Sequence, residues 1–320
     1  MKNITSLEKS NKKVLQAVAV SRAYYLDGWS QTEISKKLNL SRPTISRLLQ
    51  FAKDNGIVEI KINDPFQNID SLKDQLIQKY GLKKVIIASQ TNNDENTILE
   101  NLGQEAANYL EEIVQNGDSI GITWGLTMEA VAKHLHESDK KNIEVIQLKG
   151  SVSNSRESNF SNDITQKFNF AFHTQAQLLP LPVIFDNAQL RDMVMKDRFI
   201  NDVIEQGYQT NIVLFTVGTT RPDAMLFRLG YLSEKQIDYL KKNSVGDVLS
   251  QFITKDGEIA DPELNARTIS MPLDKLRHKE YSILIAGGEQ KLQSVHAALL
   301  GNYANVLVVD QNIAQRLLEF

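Results

Sequence analysis

An alternation of short apolar runs and helical patterns, from Lys84 to the end of the 320-residue chain, is the feature that most constrains the fold. Strands pair in parallel when each is followed by a helix that carries the chain back along the sheet. We therefore predict an α/β fold in which a doubly wound, mainly parallel sheet is covered by helices. The predicted strands are residues 85–88, 119–123, 144–148, 212–217, 282–286 and 306–309.

The predicted helices lie between these strands, where apolar residues recur three and four positions apart. They span residues 96–114, 127–136, 164–172, 187–209, 233–242 and 291–300. Lys255, Asp256 and Gly257 form a sequence that is typical of a hairpin turn. Residues 69–80 predict one more helix, whose apolar stripe is either a dimer contact or the inner face of a connecting helix.

The first sixty residues have a different pattern, with three helical segments at residues 12–26, 31–38 and 41–55. Ser41 is a good N-cap for the third helix, and Pro43 falls in its first turn, where the missing N–H costs nothing. Gly56 ends this helix, and the alternating residues 57–62 predict a strand. This order predicts a winged helix-turn-helix, in which the third helix enters the major groove of DNA.

The outer face of the third helix carries donors for phosphates and base edges, while its apolar residues fall on the opposite side. Residues 1–61 also have a charge balance of +6, whereas the rest of the chain has a balance of −9. A basic head on an acidic body indicates nucleic-acid binding by one end, although a three-helix interaction module is the alternative. The predicted DNA-binding residues are Ser41, Arg42, Thr44, Ser46, Arg47 and Gln50.

The composition excludes several kinds of site. The chain has no cysteine, which excludes disulfides, thiolate zinc sites and a cysteine nucleophile. The first eleven residues are polar, and no apolar run approaches the ~20 residues of a membrane helix. We therefore expect a cytoplasmic protein with no membrane partner. The five histidines lack the spacing of metal ligands, so we predict no metal site.

Glycine-containing turns follow three of the predicted strands, at the edge where doubly wound folds bind ligands. Backbone N–H groups, helix N-termini and cationic side chains at such turns suit a phosphate. We therefore expect a phosphorylated small molecule there, with an empty structural crevice as the alternative. Walker and Rossmann fingerprints are absent, so we predict no ATP, NAD or other cofactor. The residues in question are Thr123, Trp124, Gly125, Thr127, Gly218, Arg221, Gly287, Gly288 and Lys291.

Lys149 follows a fourth strand, directly before Gly150 and Ser151. A half-desolvated lysine at the carboxyl edge of a sheet loses its proton more easily and can attack an aldehyde. A solvated or paired lysine is the alternative, and position alone favours it.

Long and specific stretches of the chain resemble a known family from end to end. They are Ser41-Arg-Pro-Thr-Ile-Ser-Arg-Leu-Leu-Gln, Asp64-Pro65-Phe66, Trp124-Gly125-Leu126-Thr127-Met128, Gln147-Leu-Lys-Gly, Leu179-Pro-Leu-Pro-Val, Phe185-Asp-Asn-Ala, Phe215-Thr-Val-Gly-Thr, Leu226-Phe-Arg-Leu-Gly-Tyr, Val245-Gly-Asp, Ile285-Ala-Gly-Gly and Tyr303-Ala-Asn-Val-Leu. With these residues the chain resembles the SorC-type sugar-responsive bacterial transcription regulators, and among them the deoxyribonucleoside regulators.

The resemblance implies a repressor of deoxyribonucleoside or deoxyribose catabolic genes that is released from operator DNA by a phosphorylated sugar. We place a winged helix-turn-helix at residues 1–62, a linker helix at 63–82 and an effector domain related to sugar-phosphate isomerases at 83–320. The resemblance also implies a homodimer or homotetramer. In the deoxyribonucleoside branch the effector is deoxyribose 5-phosphate, and the lysine of the Leu-Lys-Gly motif, here Lys149, is its Schiff-base partner. Ser151 stands where relatives often have a second glycine.

The alternative function is an enzyme, namely a sugar-phosphate isomerase or an aldolase-like lyase fused to a DNA-binding head. An aldolase also uses a Schiff-base lysine, but it needs a positioned acid and base to process the adduct. Asp247 and Glu289 are the carboxylates at strand junctions that could serve. We expect a regulator that is not an enzyme, with Asp247 in its effector site.

Overall fold

The computed structural model describes residues 2–58, 60, 69–89, 94–151 and 160–320, and residues 2–11 only as backbone. The chain divides into two compact units, Met1–Gln67 and Asn68–Phe320. No helix in these described ranges is both long and apolar enough to cross a membrane.

The first unit contains three α-helices: α1 at Lys2–Ser21, α2 at Gln31–Leu38 and α3 at Arg42–Asp54. A π-helical turn at Arg22–Leu26 continues α1. The predicted helices are therefore present, although the first begins ten residues earlier than its apolar pattern indicates.

Local side-chain chemistry fixes the ends of α2 and α3. Ser30 and Glu33 form a capping box at the start of α2. Asn39 ends α2 in the left-handed region, with φ of 50°. The Ser41 hydroxyl accepts a hydrogen bond from the Thr44 N–H at 3.3 Å and caps α3. These caps explain why the sequence predicts both boundaries well.

A small apolar core holds the three helices together. Its buried residues are Ala17, Val20, Ala23, Ile34, Ile45, Leu48, Leu49 and Ala52. Ile57 and Val58 pack against this core from the bend after α3. The described residues of the predicted wing form no strand, and Glu59, Lys61 and Ile62 lie outside the described residues. The predicted domain boundary at 62/63 and the Asp64-Pro65-Phe66 motif also lie outside them.

The second unit is built on a six-stranded parallel sheet, which confirms the predicted α/β class. Its strands are β1 (Lys84–Ala88), β2 (Ser119–Ile122), β3 (Glu144–Gln147), β4 (Ile212–Phe215), β7 (Tyr281–Ala286) and β8 (Val306–Asp310). Their order is β1-β8-β7-β4-β2-β3. The register places Val85 opposite Leu307 and Val213 opposite Ser282. All six strands were predicted to within two residues at each end.

Two short strands, β5 (Gly246–Val248) and β6 (Gln251–Ile253), form a separate antiparallel hairpin that the sequence analysis missed. The predicted turn at Lys255–Gly257 is present beyond β6, where Ile253 bridges Ile259 in antiparallel fashion. Both turns therefore belong to one meandering segment beside the main sheet.

Helices cover both faces of the sheet. They are α4 (Ile69–Tyr80), α5 (Glu95–Ile113), α6 (Leu126–Lys133), α7 (Ser161–Phe172), α8 (Ala188–Met195), α9 (Arg198–Gln209), α10 (Met225–Arg228), α11 (Glu234–Asn243), α12 (Pro262–Ala266), α13 (Leu273–Leu276), α14 (Leu292–Leu300) and α15 (Gln311–Leu317). The predicted helix at 187–209 is two helices, because the Asp197 carboxylate caps a new start at Phe199 and Ile200. The sequence analysis missed α10, α12, α13 and α15, all of which have seven residues or fewer.

The side chains of alternate strand residues pack into two separate hydrophobic cores, one on each face of the sheet. Along β4, Ile212 and Leu214 point to the core that α5, α6 and α7 cover. Val213 and Phe215 point to the core that α4, α14 and α15 cover. Leu72 and Leu76 of α4 are buried in this second core, so the chain itself covers the apolar stripe of that helix.

The strand order contains a switch point between β2 and β4. From β2 the chain moves outward to β3, whereas from β4 it moves the other way to β7 and β8. The loops after β2 and β4 therefore leave the sheet on opposite sides and open a crevice at its carboxyl edge.

Candidate functional site

A cleft of about 350 Å³ lies at this switch point. The segments that follow β2, β3, β4 and β7 line it, together with the β5–β6 hairpin. Eight of the eleven predicted effector residues lie on its wall: Trp124, Gly125, Thr127, Lys149, Gly218, Arg221, Asp247 and Lys291. The parallel strands thus bring Thr127 and Lys291, which are 164 positions apart in sequence, to one small surface.

Lys149 lies at the buried end of the cleft, and its side chain is only 8% exposed. Its Nζ lies 3.7 Å from the centre of the Trp124 ring and donates a hydrogen bond to Ser250 Oγ at 3.1 Å. The Trp124 indole N–H in turn donates to the Gly150 carbonyl at 2.7 Å, which fixes the ring beside the amine. Burial lowers the pKa of Lys149 to about 8, although the charge of Asp247 opposes this shift.

Lys291 is the second lysine of the cleft, and it is half-buried. Its Nζ donates to the hydroxyls of Thr127 at 3.3 Å and Thr216 at 3.2 Å. Burial lowers its pKa to about 8 as well, again against the charge of Asp247. Two lysine amines and several hydroxyls therefore face one cleft, in which Asp247 is the buried carboxylate among the described residues.

Asp247 is held in place by backbone groups. Its Oδ2 accepts a hydrogen bond from the Ser250 N–H at 2.9 Å, and its own carbonyl accepts one from the Gly218 N–H at 2.9 Å. A Cβ at Gly218 would overlap Asp247 Oδ1, so only glycine allows this approach. Burial raises the pKa of Asp247, and Lys149 is the main group that opposes the rise.

A strained turn connects the two sides of the site. Leu249 and Ser250 form the two-residue loop of the β5–β6 hairpin, with φ of 50° and 65°. Type I′ turns need such angles and normally use asparagine and glycine, so each residue here costs about 1 kcal/mol or more. The Ser270 hydroxyl, which donates to the Leu249 carbonyl at 2.7 Å, helps to hold the turn. This turn conformation places the Ser250 hydroxyl against the Lys149 amine.

Three predicted effector residues lie beside the cleft and not on its wall. Gly287 packs so closely on α5 that a Cβ would overlap Leu102. Gly288, with φ of 87°, donates its N–H to Asp310 Oδ2 at 2.9 Å. The Thr123 hydroxyl is buried with no hydrogen-bond partner in the structure. Gly287 is therefore needed for close packing on α5, and Gly288 for the geometry of the turn.

The two carboxylates named for acid and base chemistry have different surroundings. Asp247 lines the cleft, whereas Glu289 is paired with Arg316 and accepts a hydrogen bond from Asn312 Nδ2 at 2.9 Å. Among the exposed lining residues, Arg221 pairs with Asp223 at 3.2 Å.

Two hydroxyl residues that accept hydrogen bonds from the lysine amines, Thr216 and Ser250, were not predicted from the sequence. Thr216 directly follows β4, so a strand end placed two residues earlier would have identified it. Ser250 carries no recognisable signal, because its turn has neither glycine nor asparagine.

The predicted DNA-binding residues share one exposed face of the first unit. Ser41, Arg42, Ser46, Arg47 and Gln50 are exposed, and Thr44 is half-buried. On the opposite side of α3, Ile45, Leu48 and Leu49 are buried in the core. The helix thus presents its donors outward, as its periodicity predicts.

Comparisons with known proteins show which family this chain resembles. Residues 64–319 match the Sugar-bind family model, which describes a sugar-binding domain. The chain is 46% identical over 301 residues to the deoxyribonucleoside regulator of Bacillus subtilis, covering 94% of this chain and 96% of that protein. It is 30% identical over 305 residues to the sorbitol operon regulator of Klebsiella pneumoniae, covering 94% and 97%. The crystal structure of the full-length sorbitol operon regulator SorC from Klebsiella pneumoniae matches with a TM-score of 0.70 at 28% identity, covering 95% of this chain and 98% of that one.

The electrostatics of the cleft can be tested by NMR titration of ¹³C-labelled lysine side chains. We expect Lys149 and Lys291 to titrate near pH 8, and Asp247→Asn to lower both pKa values because it removes the charge that stabilises the ammonium forms. Lys279, whose pKa burial also lowers to about 8, is the control. Its pKa owes nothing to Asp247 and should not change. Titration of both cleft lysines at the ordinary value of 10.5 would contradict this description.

Proposed function

The chain belongs to the SorC-type family of sugar-responsive transcriptional regulators, and we propose that it is a repressor of deoxyribonucleoside or deoxyribose catabolic genes. In this proposal a phosphorylated sugar, deoxyribose 5-phosphate, binds in the cleft and releases the protein from operator DNA. The observation that carries the proposal is the presence of two lysines in one cleft, Lys149 buried and Lys291 half-buried, each with a different set of polar contacts. The name of the 46% identical relative supports the deoxyribonucleoside branch.

The Lys291 end of the cleft suits the phosphate. Its ammonium lies between two threonine hydroxyls, and α6 begins beside it at Gly125 and Leu126 without a side-chain cap. Uncapped N–H groups and the helix dipole favour an anion at that point. A phosphate dianion would also compensate the excess of buried positive charge that Asp247 alone does not balance.

The Lys149 end suits the aldehyde of the open-chain sugar. A lysine with a pKa of about 8 holds roughly a tenth of its amine unprotonated at neutral pH, far more than an ordinary lysine. An unprotonated amine can add to the C1 aldehyde and form an imine. The Trp124 ring and the Ser250 hydroxyl fix the direction from which the amine attacks.

The first unit would bind the operator as a winged helix-turn-helix, with α3 in the major groove. Its charge balance of +6 and the exposed donors of α3 support this role. The chain would assemble as a homodimer or homotetramer, as the family resemblance implies, and a dimer would present two recognition helices to two half-sites of DNA. Release requires that the sugar phosphate bind more tightly to the DNA-free state than to the DNA-bound state.

An aldolase-like enzyme remains the alternative to be tested. The named functions of the relatives favour a regulator. Among the described residues, the cleft has one buried carboxylate, whereas net cleavage of a sugar needs groups that handle protons at more than one atom.

The covalent adduct is tested by borohydride reduction of the protein with deoxyribose 5-phosphate, followed by peptide mass spectrometry. We expect a stable adduct on Lys149 and none on Lys149→Arg, whose guanidinium cannot form an imine. Lys279 is a matched control within the same chain, because it is also buried but donates to carbonyls of Tyr208 and Thr210 away from the cleft. An unmodified Lys149 peptide would contradict the proposal. So would a Lys149→Arg protein that is released from operator DNA at the same sugar phosphate concentration as the wild-type protein.

The phosphate site is tested with Lys291→Met. We expect the sugar phosphate concentration for half-release of labelled operator DNA to rise by about tenfold to a hundredfold, the usual loss for a charged hydrogen bond. The concentration of unphosphorylated deoxyribose needed for half-release should not change, because this sugar has no phosphate for Lys291 to contact. Lys235→Met, which removes an exposed lysine of α11 outside the cleft, is the control. If Lys291→Met weakened the response to deoxyribose 5-phosphate and the response to deoxyribose equally, the phosphate would bind elsewhere.

The DNA contact is tested with Arg47→Ala. We expect operator affinity to fall by about 1–3 kcal/mol and the dependence of affinity on salt to weaken, because the exposed guanidinium contacts a phosphate or a guanine edge. Arg22→Ala removes an exposed arginine of the same unit outside α3 and should have little effect. Fluorescence anisotropy over a salt series measures both quantities. An Arg47→Ala protein with wild-type affinity and salt slope would remove Arg47 from the interface.

A further inference from the structure

Phosphate binding alone does not account for the buried carboxylate of the cleft. Asp247 is acidic, only 8% exposed, and lies where an anionic ligand is expected to enter. The negative charge of Asp247 would repel a phosphate, so its presence in the cleft needs another explanation. The position of Asp247 relative to Lys149 suggests one.

We propose that this cleft removes and returns a proton at C2 of the bound 2-deoxyaldose phosphate, with Asp247 as the base and the Lys149 imine as the electron acceptor. This inference rests on the proposed function, because it needs the imine to form. It adds a reversible chemical activity to a site that otherwise only binds.

The β5–β6 hairpin holds the two reacting groups together. Ser250 Oγ accepts from the Lys149 amine at 3.1 Å, and the Ser250 N–H donates to Asp247 Oδ2 at 2.9 Å. One residue therefore contacts both groups. In the imine, C1 is bonded to the lysine nitrogen and C2 is bonded to C1. The C2 protons therefore lie near Lys149, on the side of the cleft where Ser250 and Asp247 lie.

The steps balance without an oxidant or a second substrate. The Lys149 amine adds to C1 of the open-chain aldehyde, and water leaves as the protonated imine forms. Asp247 then takes a proton from C2, and the C–H electron pair moves into the C1–C2 bond to neutralise the nitrogen. The Asp247 carboxylic acid exchanges its proton with water and then delivers this solvent proton to C2, after which water hydrolyses the imine. The net change is exchange of one C2 hydrogen with solvent.

The ionisation of both groups supports this chemistry. Burial lowers the pKa of Lys149 to about 8, so the free amine is available near neutral pH. Burial raises the pKa of Asp247, which makes its carboxylate a stronger base than an exposed aspartate.

The other carboxylates around the described part of the cleft explain why the reaction would stop at exchange. Cleavage of the C2–C3 bond needs a base for the C3 hydroxyl. Asp223 is paired with Arg221, Glu289 with Arg316, and Glu95 is exposed and accepts from Gln290 Nε2 at 3.5 Å. The sugar phosphate is therefore released intact.

The experiment follows deoxyribose 5-phosphate by ¹H NMR in D₂O with the full-length protein. We expect one of the two C2 protons to be lost and the other retained, because a fixed carboxylate reaches one face of the enamine. Lys149→Arg, purified in the same way, should show no exchange, which also excludes a contaminating aldolase. Asp247→Asn should exchange about a hundredfold or more slowly, while borohydride still traps its adduct on Lys149.

Each result decides between the two proposals. A trapped adduct with both C2 protons retained would overturn exchange and leave the proposed function in place. No adduct and no exchange would overturn both. Loss of both protons at equal rates, or exchange undiminished in a folded Asp247→Asn protein, would also overturn the role of Asp247. The loss of one proton in the wild-type protein requires no variant to fold.

Discussion

The removal of two lysine side chains and one carboxylate from most of the surrounding water, at the edge of the sheet, is the constraint on which the rest of the site depends. Charged groups removed from water are costly unless they are paired or neutralised. Here each amine is satisfied by hydroxyls or an aromatic face, and Asp247 compensates only part of the charge. The result is a pair of lysines with pKa values near 8 and a cleft that favours an anion.

The scaffold holds this arrangement through backbone geometry. The switch point between β2 and β4 opens the crevice, and the glycine at position 218 lets Asp247 approach the loop after β4. The two left-handed residues at 249 and 250 then bring a hydroxyl to Lys149. Strain in a buried turn persists only when the surrounding structure compensates it, and such turns are common where a site needs a fixed geometry.

A binding site with reactive groups is compatible with a regulator. A repressor responds to its effector only through the difference in affinity between two states, and a covalent but reversible bond can increase that difference. The buried charge then has two consequences in our proposals. It prepares Lys149 to capture an aldehyde, and it places a base beside the captured sugar.

The sequence by itself determined the elements that depend on local patterns. Six strands, the capped helices α2 and α3, and the outward face of α3 follow from residues a few positions apart, and so do seven of the eight predicted lining residues, which follow strands of the main sheet. Only the tertiary structure decided the role of Ser250, the distinction between Asp247 and Glu289, and the packing roles of Gly287 and Gly288. These depend on contacts between distant segments, such as Lys149 with a turn 101 residues later, and no local pattern encodes which side chains a parallel sheet brings together.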